Sequence, residues 1–244
     1  MAANISKELF QIVIRFRFSI ACFILLVTGL SLSAQAQVVP MRHYTADDGL
    51  VQNDVYTGFQ DHRGDFWFGT YSGISRFDGK KFITYNEDNS GLVGTIVKSI
   101  IEDSKKQLWV GFTGGIARLE KNQFINYTEK DGLLGSDVEY LWADPLRGLW
   151  IVTEKGVSYF DGRKFSTYPV VGFKSTAYRM ITGSSSKRIY LASKKGLYEW
   201  RPDRPEFVLS PTVKFDVKGV SYNPQNRSLY LIDKNTLYQL DDDT

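Results

Sequence analysis

From residue 55 to residue 240 the apolar positions come in bursts of four to six residues divided by turn-forming sequence, a length that suits strands and is too short for helices. The bursts repeat. Phe66-Trp67-Phe68-Gly69, Leu108-Trp109-Val110-Gly111 and Leu149-Trp150-Ile151-Val152 open three segments that align without gaps. Their tryptophans are 42 and 41 residues apart, and steps of 40 lead on to Tyr190 and Tyr230. Six places after that aromatic stands a glycine in four copies (Gly73, Gly115, Gly156, Gly196) and Thr236 in the fifth. An aliphatic residue follows at seven (Ile74, Ile116, Val157, Leu197, Leu237) and a large apolar one at ten (Phe77, Leu119, Phe160, Trp200, Leu240). The three stronger copies add Phe at fifteen and Tyr at eighteen, and apolar residues upstream at Val55 and Phe59, Val97 and Ile101, Val138 and Trp142. Each unit therefore predicts four short strands.

Asp78-Gly79 and Asp161-Gly162 join the third segment to the fourth, and Asp-Gly suits a tight hairpin because both central residues need positive φ. A four-stranded antiparallel meander every 40 to 45 residues is the blade period of a β-propeller. The expected fold is all-β, with about five such blades over residues 38–244. Trp67, Trp109, Trp150, Tyr190 and Tyr230, with Gly73, Gly115, Gly156 and Gly196, form its structural frame, the rings packing between neighbouring blades. Met41-Arg42-His43-Tyr44-Thr45 has the pattern of a fourth strand, whereas the last apolar segment, Leu237 to Leu240, matches a third. Two readings follow: the first strand completes the last blade of a closed five-bladed ring, or the blades belong to a larger propeller.

Residues 1–36 differ from the rest. Lys7, Arg15 and Arg17 precede an uncharged apolar run from Phe18 to Leu32 that ends in Ser33-Ala34-Gln35-Ala36. This order predicts a signal peptide cleaved after Ala36, with an uncleaved anchor as the alternative, and in either case export to the periplasm or the outer face of the inner membrane. The sole cysteine, Cys22, leaves with the signal, which excludes disulfides, thiol nucleophiles and cysteine-metal sites from the mature chain. The remaining 27 basic and 26 acidic residues give a net charge of +1, so nothing asks for nucleic acid.

Tyr44-Thr45-Ala46-Asp47-Asp48-Gly49-Leu50, Ile101-Glu102-Asp103-Ser104-Lys105-Lys106-Gln107-Leu108-Trp109-Val110-Gly111 and Phe77-Asp78-Gly79-Lys80-Lys81-Phe82 resemble the two-component regulator propeller repeat, clearly over residues 44–168 and by spacing alone beyond Gly196. The resemblance implies the extracytoplasmic sensor region of a histidine kinase or hybrid two-component regulator. Its ligand would be extracellular, often a carbohydrate, and its partner a downstream membrane kinase module. The alternative is a secreted or periplasmic scaffold that binds protein or glycan.

Catalytic residues, metal ligands and cofactors are not expected. His43 and His62 fall in a strand and a turn, and the series Asp61, Asp103, Asp144 is what Asx-type turns produce. Asp47-Asp48-Gly49 lacks the alternating ligand spacing and distant Glu of a calcium loop. A binding site is expected where the copies differ while the frame stays constant, in the loops between second and third strands. There Tyr71 and Phe112 are candidates to stack on a ligand, with Thr113, Glu154 and Lys195 beside them.

Overall fold

The computed structural model describes residues 41–145, 148–172, 178–184, 187–203 and 206–241. The expected signal sequence lies outside the described residues. Among those described, no helix is long and apolar enough to cross a membrane.

Four antiparallel meanders of four strands follow one another along the chain. The first is β1 (Val55–Gln60), β2 (Phe66–Thr70), β3 (Gly73–Phe77) and β4 (Phe82–Tyr85). The second is β5 (Thr95–Glu102), β6 (Leu108–Thr113), β7 (Gly115–Glu120) and β8 (Gln123–Tyr127), and the third β9 (Val138–Ala143), β10 (Leu149–Thr153), β11 (Gly156–Phe160) and β12 (Phe165–Tyr168). The fourth is β13 (Tyr178–Gly183), β14 (Ile189–Ser193), β15 (Gly196–Trp200) and the two-residue β16 (Val208–Leu209). A fifth sheet has three strands, β17 (Gly219–Asn223), β18 (Ser228–Ile232) and β19 (Leu237–Asp241). These sheets are the blades of a β-propeller.

The recurring glycine opens the third strand of four blades with φ between +131° and +147° at Gly73, Gly115, Gly156 and Gly196. A β-carbon at Gly73 would run into the Tyr85 carbonyl, and at Gly115 into that of Tyr127, so backbone and space both demand glycine. A buried hydroxyl three places after the reference aromatic secures the same hairpin. Thr70, Thr153 and Ser193 donate to the carbonyls of Gly73, Gly156 and Gly196 at 3.0, 3.2 and 2.8 Å.

Successive blades bury their apolar faces against each other. Trp67, Ile74 and Tyr85 of the first pack against Val97, Ile100, Leu108 and Val110 of the second. Trp109 and Ile116 repeat this against Val138, Leu141, Leu149 and Ile151, and Tyr190 and Leu197 against Val220, Leu229 and Leu231. At about 25 cal/mol per Å² and 150–250 Å² for an aromatic ring, each such side chain gives roughly 4–6 kcal/mol of gross stabilisation before ordering entropy is counted.

The innermost strands β1, β5, β9, β13 and β17 touch in that succession, and among the described residues no comparable contact joins β17 back to β1. Both ends accordingly expose what inner blades bury. Val55 and Phe66 are 46% and 43% exposed where Val97 and Leu108 show 0% and 6%, and Leu237 is 63% exposed where Ile74 is fully buried. The sequence reading of residues 41–45 as a fourth strand is corrected here: they form no strand, and the last blade has three. Tyr44 instead lays its ring 5.1 Å from Phe77 and 5.6 Å from Phe82, as Tyr127 does on Phe160 and Phe165 of the third blade. The threonine that follows each tyrosine starts the same capped turn. The backbone N–H groups of Thr45 and Thr128 donate to Asp48 and Asp131 at 2.8 Å, delivering Leu50 and Leu133 into the interior.

Candidate functional site

The loops between second and third strands disperse the residues picked out from the sequence. Tyr71 is 46% exposed. Phe112, read as a stacking platform, is fully buried against the core of the first two blades. It stands where the first, third and fourth blades carry Thr70, Thr153 and Ser193, and its ring fits because Gly94 and Gly114 leave the space a β-carbon would take. Thr113 and Glu154 do meet, through Asp137. The Thr113 hydroxyl donates to its carboxylate at 3.0 Å, and the backbone N–H groups of Ser136 and Asp137 donate to Glu154 at 3.3 and 2.9 Å. Lys98 closes this network onto Asp137 and Glu139 at 2.7 and 2.8 Å. Lys195 lies apart, its ammonium 3.2 Å from the Gly172 carbonyl. None of these five residues lines the cavity described below.

The opposite rim, where first strands turn into second strands, carries a different constellation. In the first blade the Trp67 indole donates to Asp61 at 2.9 Å, and the Arg76 guanidinium lies over the ring at 5.9 Å. The second blade repeats the trio, with Trp109 donating to Asp103 at 3.0 Å and Arg118 at 5.7 Å from the ring centre. A satisfied indole under a cation leaves no room for anything else.

The third blade breaks the trio. Tyr159 stands where Arg76 and Arg118 stand, and Gly148 where Asp65 and Gln107 do. A β-carbon at Gly148 would collide with the Tyr159 ring, and one at Gly183 with the Trp142 indole, so two glycines make room for two rings. Trp150 then lies among aromatics, its ring 4.8 Å from Tyr159, 5.0 Å from Tyr168 and 5.3 Å from Trp200. Its indole nitrogen is buried without a hydrogen-bond partner, as is that of Trp200.

A cavity of about 690 Å³ opens against this cluster, lined by the third and fourth blades and by Tyr222 and Pro224 of the fifth. Trp142, Trp150, Tyr159, Tyr168, Trp200 and Tyr222 supply its aromatic wall, and Asp144, Ser184 and Lys187 its polar edge. Burial pushes the hydroxyls of Tyr159 and Tyr168 above the usual phenol value, Tyr159 further through the Asp144 carboxylate, so both keep their protons at neutral pH. A concave, mostly apolar site with a few polar groups is the form small-molecule pockets take. The only signal in the sequence was the replacement of Arg by Tyr and of Asp or Gln by Gly in one copy.

No protein-family profile matches the chain. Over 78 residues, 31% of its length, it is 36% identical to histidine kinase P4 of Formosa agariphila, and the match spans 6% of that protein. In three dimensions 86% of the chain matches the extracellular domain assigned to the hybrid two-component system BT3049 of B. thetaiotaomicron, with a TM-score of 0.67, 19% identity and 30% of that chain covered. A streptogramin B lyase is also similar, with a TM-score of 0.62, 15% identity, and 82% of this chain and 66% of the other covered. The chain thus spans less than a third of the kinase and of the BT3049 domain. The structural likenesses establish the propeller fold, which an extracellular two-component domain and a lyase share. The kinase match adds a relation in sequence over less than a third of this chain.

Proposed function

We propose that residues 38–244 are the extracytoplasmic, ligand-sensing region of a two-component signalling protein, non-catalytic in itself, with the aromatic cavity of the third and fourth blades as its ligand site. The observation that carries this reading is the cavity: the third copy keeps the tryptophan of the first two but has Tyr159 in place of their arginine, and an aromatic-walled space opens beside it. The sequence relation to a histidine kinase and the structural likeness to an extracellular two-component domain support the signalling role. Occupancy would be relayed to a membrane-borne kinase module.

The test is twofold. A reporter active only outside the cytoplasm, fused after residue 244, should be active, and a thermal-shift screen of small neutral and anionic compounds on the purified protein should find ligands that raise the melting temperature. An inactive reporter with a silent screen would sink the proposal. The apolar faces exposed at Val55, Phe66 and Leu237 favour a second reading, a secreted or periplasmic scaffold. Under it the protein captures a protein or glycan partner, and Tyr159→Arg, which refills the cavity, leaves that capture intact.

A further inference from the structure

Each junction between successive blades joins the same two half-faces. One half holds the reference aromatic and the residues two and seven places after it, as in Tyr190, Ala192 and Leu197 of the fourth blade. The other half takes one or two apolar residues from the inner strand and the pair flanking the reference aromatic, as in Val97, Leu108 and Val110 of the second. At the two ends of the array each half stands alone. Val55, Phe66 and Phe68 of the first blade occupy the places of Val97, Leu108 and Val110, and Tyr230, Ile232 and Leu237 of the fifth occupy those of Tyr190, Ala192 and Leu197. Val55, Phe66, Ile232 and Leu237 are exposed. The ends are therefore complementary halves of a junction that the chain already forms between each pair of successive blades.

The strands divide in the same way. Among the described residues the fifth sheet stops at β19, whose outer edge has no neighbour. In the first three blades that edge pairs with a fourth strand, which sets Tyr85 opposite Ile74, Tyr127 opposite Ile116 and Tyr168 opposite Val157. Three residues earlier on the fourth strand, a phenylalanine meets the large apolar residue of the third. Leu237 and Leu240 are the matching positions of β19, and residues 41–45 carry the fourth-strand pattern without a sheet. Tyr44 and the capped turn after it nevertheless lie on the first blade as Tyr127 and its turn lie on the third. The lead into the first blade thus has the geometry it takes where the strand before it is paired.

We propose that residues 41–45 of one copy of this chain add to the β19 edge of a second copy as the missing fourth strand, Tyr44 opposite Leu237 and Met41 opposite Leu240, so that copies associate head to tail. The addition satisfies an open sheet edge and brings the lone half-face of the first blade against that of the fifth. Such a contact is heterologous, leaving every copy with one face of each kind, and mass action makes it grow with concentration while dilute protein keeps both ends free. The inference goes beyond the sensing role and does not depend on the cavity.

Sedimentation of the full chain over a range of concentrations, with hydrogen exchange read at both extremes, tests it. The mass should rise from monomer to dimer or above, and amides of β19 should exchange about tenfold more slowly in the concentrated sample. Val55→Lys and Leu237→Lys should each weaken self-association about tenfold or more by placing an ammonium in an apolar contact. An equimolar mixture of the two variants should associate again, since one retains the fifth-blade face and the other the first-blade face. Both substitutions change exposed side chains, and should either variant unfold, the exchange comparison on the native chain still decides. A native chain that stays monomeric throughout, association undiminished in both variants, a mixture no heavier than its components, or association that leaves β19 exchange unchanged overturns the proposal.

Discussion

Replacing Asp61 by alanine tests whether the trio of the first blade holds that blade together. The carboxylate, 2% exposed, accepts from the Trp67 indole at 2.9 Å, from the backbone N–H groups of Arg63 and Asp65 at 2.9 and 3.0 Å, and from the Arg63 side chain at 3.1 Å. Water can reach the exposed turn and take over the Arg63 donors. It cannot reach Trp67, which is fully buried, so its orphaned N–H costs about 1–3 kcal/mol, and loss of the charged turn bonds brings the total to roughly 2–4 kcal/mol. In urea, with a slope of about 2 kcal/mol per M, the midpoint should fall by about 1–2 M. Burial pushes the Asp61 carboxyl up, but the bonds from Trp67, Arg63 and Asp65 outweigh it, and its pKa lies below the ordinary 3.8. The unfolded chain then takes the proton first, so the stabilisation is complete above that ordinary value and fades as pH falls through the lower folded one. The stability gap between the native protein and Asp61→Ala should therefore be constant from pH 7 to 5 and close below pH about 4. A loss under about 0.5 kcal/mol, or a gap that widens on acidification, would refute the reasoning.

Gly73→Ala should destabilise by about 2 kcal/mol or more, since φ is +131° and the new methyl meets the Tyr85 carbonyl, while Gly79→Ala, with open space around it, should cost about 1 kcal/mol; melting curves of the pair check this. Ser99→Ala removes the hydroxyl that accepts the buried Leu141 N–H across the second and third blades at 3.1 Å, and urea titration should show a loss of about 1–2 kcal/mol. Burial pushes the Lys98 ammonium down, but Asp137 and Glu139 push it up further, so that its pKa is raised and its contribution, present at neutral pH, is lost as pH climbs above 10.5 and through the folded value. Because these groups are partly exposed, Lys98→Met should cost no more than about 1 kcal/mol at pH 7, shrinking in high salt.

The blades were readable because their determinants are local and repeated. A buried indole, a glycine at positive φ and an aliphatic neighbour recur at set offsets, and each offset maps onto one strand of one hairpin. Phe112 was misread because loop position was taken for exposure, when its equivalents in three other blades, Thr70, Thr153 and Ser193, are buried hydroxyls. Residues 41–45 carry the alternation of a fourth strand, but a strand needs a neighbour to pair with, which no run of side chains reveals. The cavity was hidden for another reason. It arises from what the third copy lacks, the arginine over Trp150 and the side chain at Gly148, and a search for shared residues passes over such losses.

Among the described residues the sheets between Val55 and Asp241 are coupled in single file, the inner strands meeting in the order β1, β5, β9, β13, β17. Cooperativity in such an array is set by adjacency. Terminal sheets are clamped from one side and central ones from two, so amide protons of β6 and β10 should exchange far more slowly than those of β18. A lesion between the second and third sheets would cut the array into two short stacks, whereas the same lesion at either extremity would only shorten it.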